Sequence, residues 1–520
     1  MSWFQNAVFY HIYPLGLLGC EQYNDYTIKE HRLRKLDVWF DHIADLGFTA
    51  LYIGPLFESV GHGYETSDYR KLDSRLGDNE DLKWLVSYCH ARGIKVILDA
   101  VFNHSGRDFF AFKDIREKRE NSPYLNWYQN VNLYGNNSYN DGFSYDTWAG
   151  YDLLAKFNLY NKEVRDYHLE TVSYWVKEFD IDGLRLDAAD VLNFDFMKEL
   201  RNLANNIKED FFLLGEVIHG DYSRWVNYDT LHSVTNYQMH KALYSAHNDH
   251  NYFEVAHTIR HQKQICGDNI YSLYLFADNH DVERIASRIS DKRNLLPLYI
   301  LLYTLPGMPS VYYGSEFGIE GRKEKYSDAS LRPTLDLEQM KEYDPFYPQL
   351  IASLSKIRKN EEALSYGPYN EVSLTTTLYA FYRGDVLIVV NNSDDEQHLD
   401  IQSAYSYKGA LFNEDLPSDD GVLHITIKGH NGEIYVRADG GKKDYEPIKI
   451  EQKAEEVKKE EKEITIGIAD KPYEEMSIEE LQAAILAKMA ANGPLNDQMI
   501  RSVEENVYRD SLLNWVKSFR

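Results

Sequence analysis

Lys95-Val96-Ile97-Leu98-Asp99-Ala100-Val101-Phe102-Asn103-His104 is a short, largely apolar run that stops on an amide and an imidazole. Runs of this kind read as strands buried on both faces, as in parallel sheets. The pattern recurs along the first 320 residues. Strands are expected at Ala7–Tyr13, Ala50–Ile53, Lys95–Val101, Gly183–Asp187, Phe211–Val217, Ser233–Tyr237, Ser272–Ala277 and Ser310–Tyr313. Between most of them apolar residues recur at helical spacing, in Leu33–Leu46, Leu82–Ala91, Lys162–Phe179 and Phe194–Ile207. Eight strands alternating with helices predict an α/β fold whose parallel sheet closes into a (β/α)8 TIM barrel. An open doubly wound sheet is the competitor. It usually carries a Gly-rich phosphate loop after its first strand, and Tyr13-Pro14-Leu15-Gly16 is not one.

The barrel is assigned to residues 1–104 and 160–360. Residues 105–159 are too long for an ordinary connection and read as an inserted subdomain after the third strand. They carry Phe109, Phe110, Phe112, Tyr124, Trp127, Tyr128, Tyr134, Tyr139, Phe143, Tyr145, Trp148 and Tyr151, about half of which are expected to form a small core. Alternating segments in 361–440, such as Leu374–Arg383 and Gly432–Ala438, predict an antiparallel β-sandwich. Residues 441–475 form a charged linker: Gln452–Glu463 holds four Lys and five Glu. Residues 476–520 predict a helical tail. Ser477 and Glu480 make a capping box, and Asn492-Gly493-Pro494 ends the first helix. This tail is given no chemistry and is a candidate dock for a protein partner.

The 520 residues are 43% hydrophobic and 27% charged, the balance of a globular chain. Acidic residues outnumber basic ones by 82 to 56, a net charge of −26 that argues against nucleic acid as a partner. No run approaches the ~18 apolar residues of a spanning helix, so no membrane association is expected. Three scattered cysteines and an opening, Met-Ser-Trp-Phe-Gln-Asn, without a basic then apolar stretch predict a cytoplasmic location. The 41 tyrosines bring rings suited to stacking on sugars as well as to packing.

Barrel enzymes place their chemistry at the C-terminal strand ends. Here the fourth strand ends Arg185-Leu186-Asp187, the fifth Gly215-Glu216-Val217 and the seventh Asp278-Asn279-His280-Asp281. Glycoside hydrolysis needs two carboxyl groups about one acetal carbon, and Asp187, Glu216 and Asp281 can supply the pair and a third acid. Arg185 lies two residues before Asp187 and on a strand shares its face, so it is expected to keep Asp187 ionised. Glu216, crowded by other carboxylates, is expected to hold a proton near neutral pH.

These segments resemble, in order and spacing, the four signature regions of the α-amylase superfamily of retaining α-glycoside hydrolases: 99–104, 183–187, 215–217 and 279–281. Supporting matches are His62-Gly63-Tyr64, Leu154–Asn158 and Pro309–Glu316. The resemblance implies that Asp187 is the nucleophile, Glu216 the acid/base and Asp281 the carboxylate that tightens on the transition state. It further implies that His104 and His280 hydrogen-bond the sugar, Arg185 orients Asp187, and Tyr64 stacks on the sugar. Asn103 matches a family calcium ligand; catalysis in this scheme requires no cofactor, and calcium is the one metal in view. Gly215–His219 is similar to the neopullulanase, cyclomaltodextrinase and maltogenic amylase branch, whose N-terminal β-domain has no counterpart before the strand at Ala7. The expected activity is hydrolysis of α-1,4 bonds in maltodextrins or starch oligosaccharides. A transglycosylase, an α-1,6-glucosidase and a non-catalytic glucan-binding protein are the alternatives.

Overall fold

The computed structural model of the chain describes residues 2–325, 327–440 and 445–448, together with Leu481, Gln482 and Ile485. Eight strands share one sheet: β1 (Phe9–Ile12), β2 (Ala50–Ile53), β3 (Lys95–Ala100), β4 (Gly183–Leu186), β5 (Phe212–Gly215), β6 (Ser233–Val234), β7 (Tyr274–Phe276) and β8 (Met308–Tyr312). Their order is β6-β5-β4-β3-β2-β1-β8-β7, with every neighbour parallel. A parallel bridge from Thr235 to Tyr274 joins the two ends, and the Asn236 N–H donates to Tyr274 O at 2.9 Å. The sheet is closed. The barrel expected from the sequence is present, with all eight strands within the predicted segments or starting no more than two residues outside them.

Alternation along the strands divides the core in two. Phe9, Ala50, Tyr52, Ile97, Phe212, Leu214, Tyr274 and Phe276 fill the barrel interior, with Phe4 stacked on Phe212 at its N-terminal end. Tyr10, Leu51, Val96, Leu98, Leu213 and Leu275 face outward into the layer beneath the helices. Gly183 is required where β4 meets β5, because a Cβ there would lie 2.5 Å from Phe212 O.

Helices α1 (Asp37–Asp45), α2 (Asn79–His90), α3 (Lys162–Phe179) and α4 (Phe194–Ile207) follow the first four strands. After β5 only a 3-10 turn, Tyr222–Arg224, occupies the helix position, while α5 (Tyr237–Asn248) and α6 (Phe253–Cys266) both follow β6. Helix α7 (Leu295–Thr304) is buried at all ten positions. A helix apolar on every side has no amphipathic stripe, which is why its spacing is silent in the sequence. Helix α8 (Phe346–Asn360) completes the ring.

The insertion holds an α-helix, Phe110–Lys118, and a three-stranded sheet of His104–Ser105, Tyr151–Lys156 and Thr147–Trp148. Phe109, Phe112, Trp127, Tyr128, Phe143 and Tyr145 are buried, whereas Phe110, Tyr134, Tyr139, Trp148 and Tyr151 are exposed. Beyond α8 two antiparallel sheets, one of six strands and one of three, enclose Leu387, Val389, Leu423 and Ile425 as a sandwich. Arg383 of the sandwich donates to Thr304 O at the end of α7 at 2.6 Å. Met1–Lys449 is one compact unit. The charged linker and most of the helical tail lie outside the described residues; within Ile450–Arg520 only Leu481, Gln482 and Ile485 are described, all helical. Among the described residues no helix is long and apolar enough to cross a membrane.

Candidate active site

Asp187 and Glu216 are the first residues past β4 and β5. The register sets Gly215 beside Leu186, so the two acids stand side by side on strands ~4.8 Å apart. Their backbone amides keep the ladder running: Asp187 N–H donates to Ala100 O at 3.1 Å and Glu216 N–H to Leu186 O at 2.9 Å. Arg185, on the same strand face as Asp187, donates from Nη1 to Asp187 Oδ1 and to Asp99 Oδ1, both at 2.9 Å. Its Nη2 lies 2.9 Å from Glu216 Oε1. One guanidinium thus bridges both acids. Ala188 is held in the left-handed region at φ 47°, which aims its N–H at Glu216 Oε2, 3.0 Å away.

Asp187, Glu216, Arg185 and Asp99 are all buried. Burial pushes Asp187 well above the ordinary carboxylate range; Arg185 opposes this, and Glu216 and Asp99 add to it. Burial also raises Glu216, with Arg185 opposing and the charge of Asp281 reinforcing the rise. Arg185, expected to keep Asp187 ionised, offsets part of this rise. Two buried acids beside one another titrate as a pair, and the pair retains a proton above the usual carboxylate pKa.

Asp281 behaves oppositely. Burial would raise it, but His280 and Arg332 outweigh that effect and hold it well below the ordinary range. His280 Nε2 is 3.0 Å from Asp281 Oδ2 and 2.5 Å from the Tyr64 hydroxyl. The Tyr64 and His280 rings stack at 5.7 Å, and Tyr64 donates to Asp99 Oδ2 at 3.1 Å. Arg332 donates from Nη2 to Asp281 Oδ1 at 2.8 Å and from Nε to His280 O at 3.0 Å. Asp281 keeps about a third of its side chain open, at 34%, which makes it the most accessible of the three acids.

His104 is buried, with Nε2 3.2 Å from Tyr64 O; burial lowers its pKa to about 3, so it is neutral. Every residue expected at the site from the sequence, Tyr64, His104, Arg185, Asp187, Glu216, His280 and Asp281, is joined by these contacts into one cluster. Asn103 is the exception. It lines a neighbouring cavity of about 410 Å³ with Gln129, Lys156, Asn193 and Asp195, and its Nδ2 is turned to His104 Nδ1 at 3.2 Å. Calcium takes ~6–8 oxygen ligands. Asp195 is the carboxylate in this wall, beside the amides of Asn103, Gln129 and Asn193, and the calcium role implied for Asn103 stays an expectation.

Three residues escaped the sequence reading. Arg332 follows a stretch without periodicity. Tyr237, whose hydroxyl is 3.5 Å from Glu216 Oε1, reads as the end of β6 but begins α5. Asn279 donates to that hydroxyl at 3.2 Å and accepts from the Asp281 N–H at 2.9 Å. Only Asn279, inside the 279–281 segment, had a signal that could have disclosed it.

A closed barrel whose strand ends gather two bridged carboxyl groups, a third carboxylate and two imidazoles has the parts of a glycoside hydrolase. Residues 36–346 match the profile described as alpha amylase, catalytic domain, and the chain belongs to the alpha-amylase family of glycoside hydrolases. It is 30% identical over 426 residues to a cyclomaltodextrinase of a Bacillus species, covering 76% of this chain and 74% of that one. It is 31% identical over 329 residues to the intracellular maltogenic amylase of Bacillus subtilis, covering 62% of this chain and 54% of the relative. Among solved structures, the native debranching enzyme of Nostoc punctiforme is 28% identical with a TM-score of 0.72, covering 83% of this chain and 98% of that one.

Proposed function

We propose that the protein is a retaining α-glucan hydrolase acting inside the cell on α-1,4 bonds of maltodextrins and starch-derived oligosaccharides. Asp187 is the nucleophile and Glu216 the acid/base. The observation that carries this reading is the single Arg185 guanidinium bridging two register-matched acids. Side-by-side placement on adjacent strands supports the ~5–5.5 Å carboxyl separation of a retaining mechanism. The cyclomaltodextrinase and maltogenic amylase relatives support the substrate class, and the name of the second supports the location.

In this scheme the pair enters with one proton. Asp187 attacks the anomeric carbon as Glu216 gives its proton to the departing glycosidic oxygen. Water then cleaves the glycosyl ester on Asp187 while Glu216 takes a proton back. Asp281, held ionised by His280 and Arg332, accepts hydroxyls of the ring and strengthens its hold as positive charge grows at the anomeric carbon. His104, His280 and Tyr64 bind the same ring.

Chromatography of products from amylose, pullulan, cyclodextrin and isomaltose, with the released anomer followed by NMR, tests the proposal. Asp187→Ala and Glu216→Gln are each expected to lower kcat by at least about 1,000-fold in a chain that still folds and melts cooperatively. Full activity in either variant, or release of the inverted β-anomer, would overturn it.

A further inference from the structure

Trp148 and Tyr151 flank a two-residue hairpin turn in the insertion. Ala149 and Gly150 have φ of 51° and 83°, the left-handed pair that a tight type I′ turn requires. Trp148 pairs with Tyr151 across the turn, next to a bulge that shifts the register before Thr147–Ala155, so both side chains project from one face at the tip of the hairpin. Both stay open to solvent, at 38% and 62%, in a subdomain that buries six other rings. The hairpin is also tied to the catalytic cluster: its strand Tyr151–Lys156 pairs with His104–Ser105, setting Lys156 opposite His104. The Trp148 and His104 rings are 6.0 Å apart between centroids, inclined by 40°.

An exposed indole on a rigid turn beside a sugar-binding imidazole has a chemical use. The C–H faces of glucose are apolar, and a flat ring with two torsions is ordered at little entropic cost. We infer that Trp148 is a specificity-determining residue whose indole carries the glucose unit adjoining the one bound by His104 and Tyr64, with Tyr151 extending the platform. This rests on the α-glucan reading proposed above. Among the described residues, other open rings such as Tyr134 and Tyr228 make no ring contact or hydrogen bond with the cluster, whereas Trp148 lies against His104.

The test uses the full chain with Trp148→Ala and Trp148→Phe, on maltodextrins from the shortest one cleaved to maltoheptaose. In Trp148→Ala the ratio of kcat/KM for maltoheptaose to that for the shortest substrate is expected to fall about five- to tenfold, mainly through KM. Trp148→Phe should restore most of it. Melting curves check the fold, which an exposed turn residue should leave intact. An unchanged ratio, or an equal loss of kcat at every length, would overturn the inference. Calorimetric binding of maltoheptaose to Glu216→Gln, with and without Trp148→Ala, separates it from the functional reading. Weaker binding without Trp148 supports the platform even if the wild type cleaves no maltodextrin, and equal binding overturns it.

Discussion

At the scale of single residues the site depends on backbone placement as much as on side-chain type. Ala188 shows this. Its left-handed conformation costs an L-residue about 1–2 kcal/mol, yet it directs one N–H to Glu216. Ala188→Gly is expected to relieve that strain, raising stability by up to about 1 kcal/mol while keeping the amide in place. Ala188→Val, β-branched at positive φ, should cost about 1–2 kcal/mol and lower kcat by displacing the amide. Thermal melts and kcat of the two variants check this, and a more stable valine variant would refute it. The acids themselves were legible in the sequence because apolar runs stop on them. Their protonation was not, because burial and mutual repulsion around Asp187 outweigh the one cation that the sequence places nearby.

At the scale of elements, helix boundaries follow local chemistry and were read well from it. Lys162–Phe179 and Phe194–Ile207 begin and end as predicted, each behind an asparagine cap: Asn161 accepts from the Glu163 N–H and Asn193 from the Phe196 N–H, both at 3.0 Å. Asn193 also closes the short segment that leaves the candidate nucleophile. Asn193→Ala should lower stability by about 1 kcal/mol in denaturant melts, the usual cost of a lost N-cap. A change below a few tenths would mean that packing of Leu192 alone holds the segment. Elements without a local signature were not read: α7 is apolar all round, and the 3-10 turn after β5 replaces a helix that eight-fold alternation leads one to expect.

At the scale of the whole molecule, closure of the barrel buries histidines far apart in sequence. His104, His168 and His232 are lowered by burial to about 3, and His240 and His247 to about 4, with His11 also well below its usual value. A histidine lowered on folding contributes stability that is full above its unfolded pKa of ~6.5 and is lost as pH falls toward the folded value. The melting temperature should therefore drop steeply between about pH 6.5 and pH 4, with uptake of several protons on unfolding. The raised acids Asp187 and Glu216 act with the opposite sign, losing stability as pH rises above the usual carboxylate range. His168 lies among Tyr69, Phe102 and Phe157, and neither ring nitrogen has a partner among the described residues. His168→Phe should flatten the acid slope by about one proton, and an unchanged slope would refute the assignment.

The sequence by itself determined the strands, most of the helices, the carboxylates and the family, because burial periodicity, caps and strand-end residues are local features of the chain. Tertiary structure alone decided which groups meet. Arg185 bridges two acids 29 residues apart only because β4 and β5 pair in one register. Asp281 is held ionised by Arg332 through a loop with no periodic signal. Distances between strands and the desolvation of charges arise from closing the barrel, and no stretch of the sequence carries them.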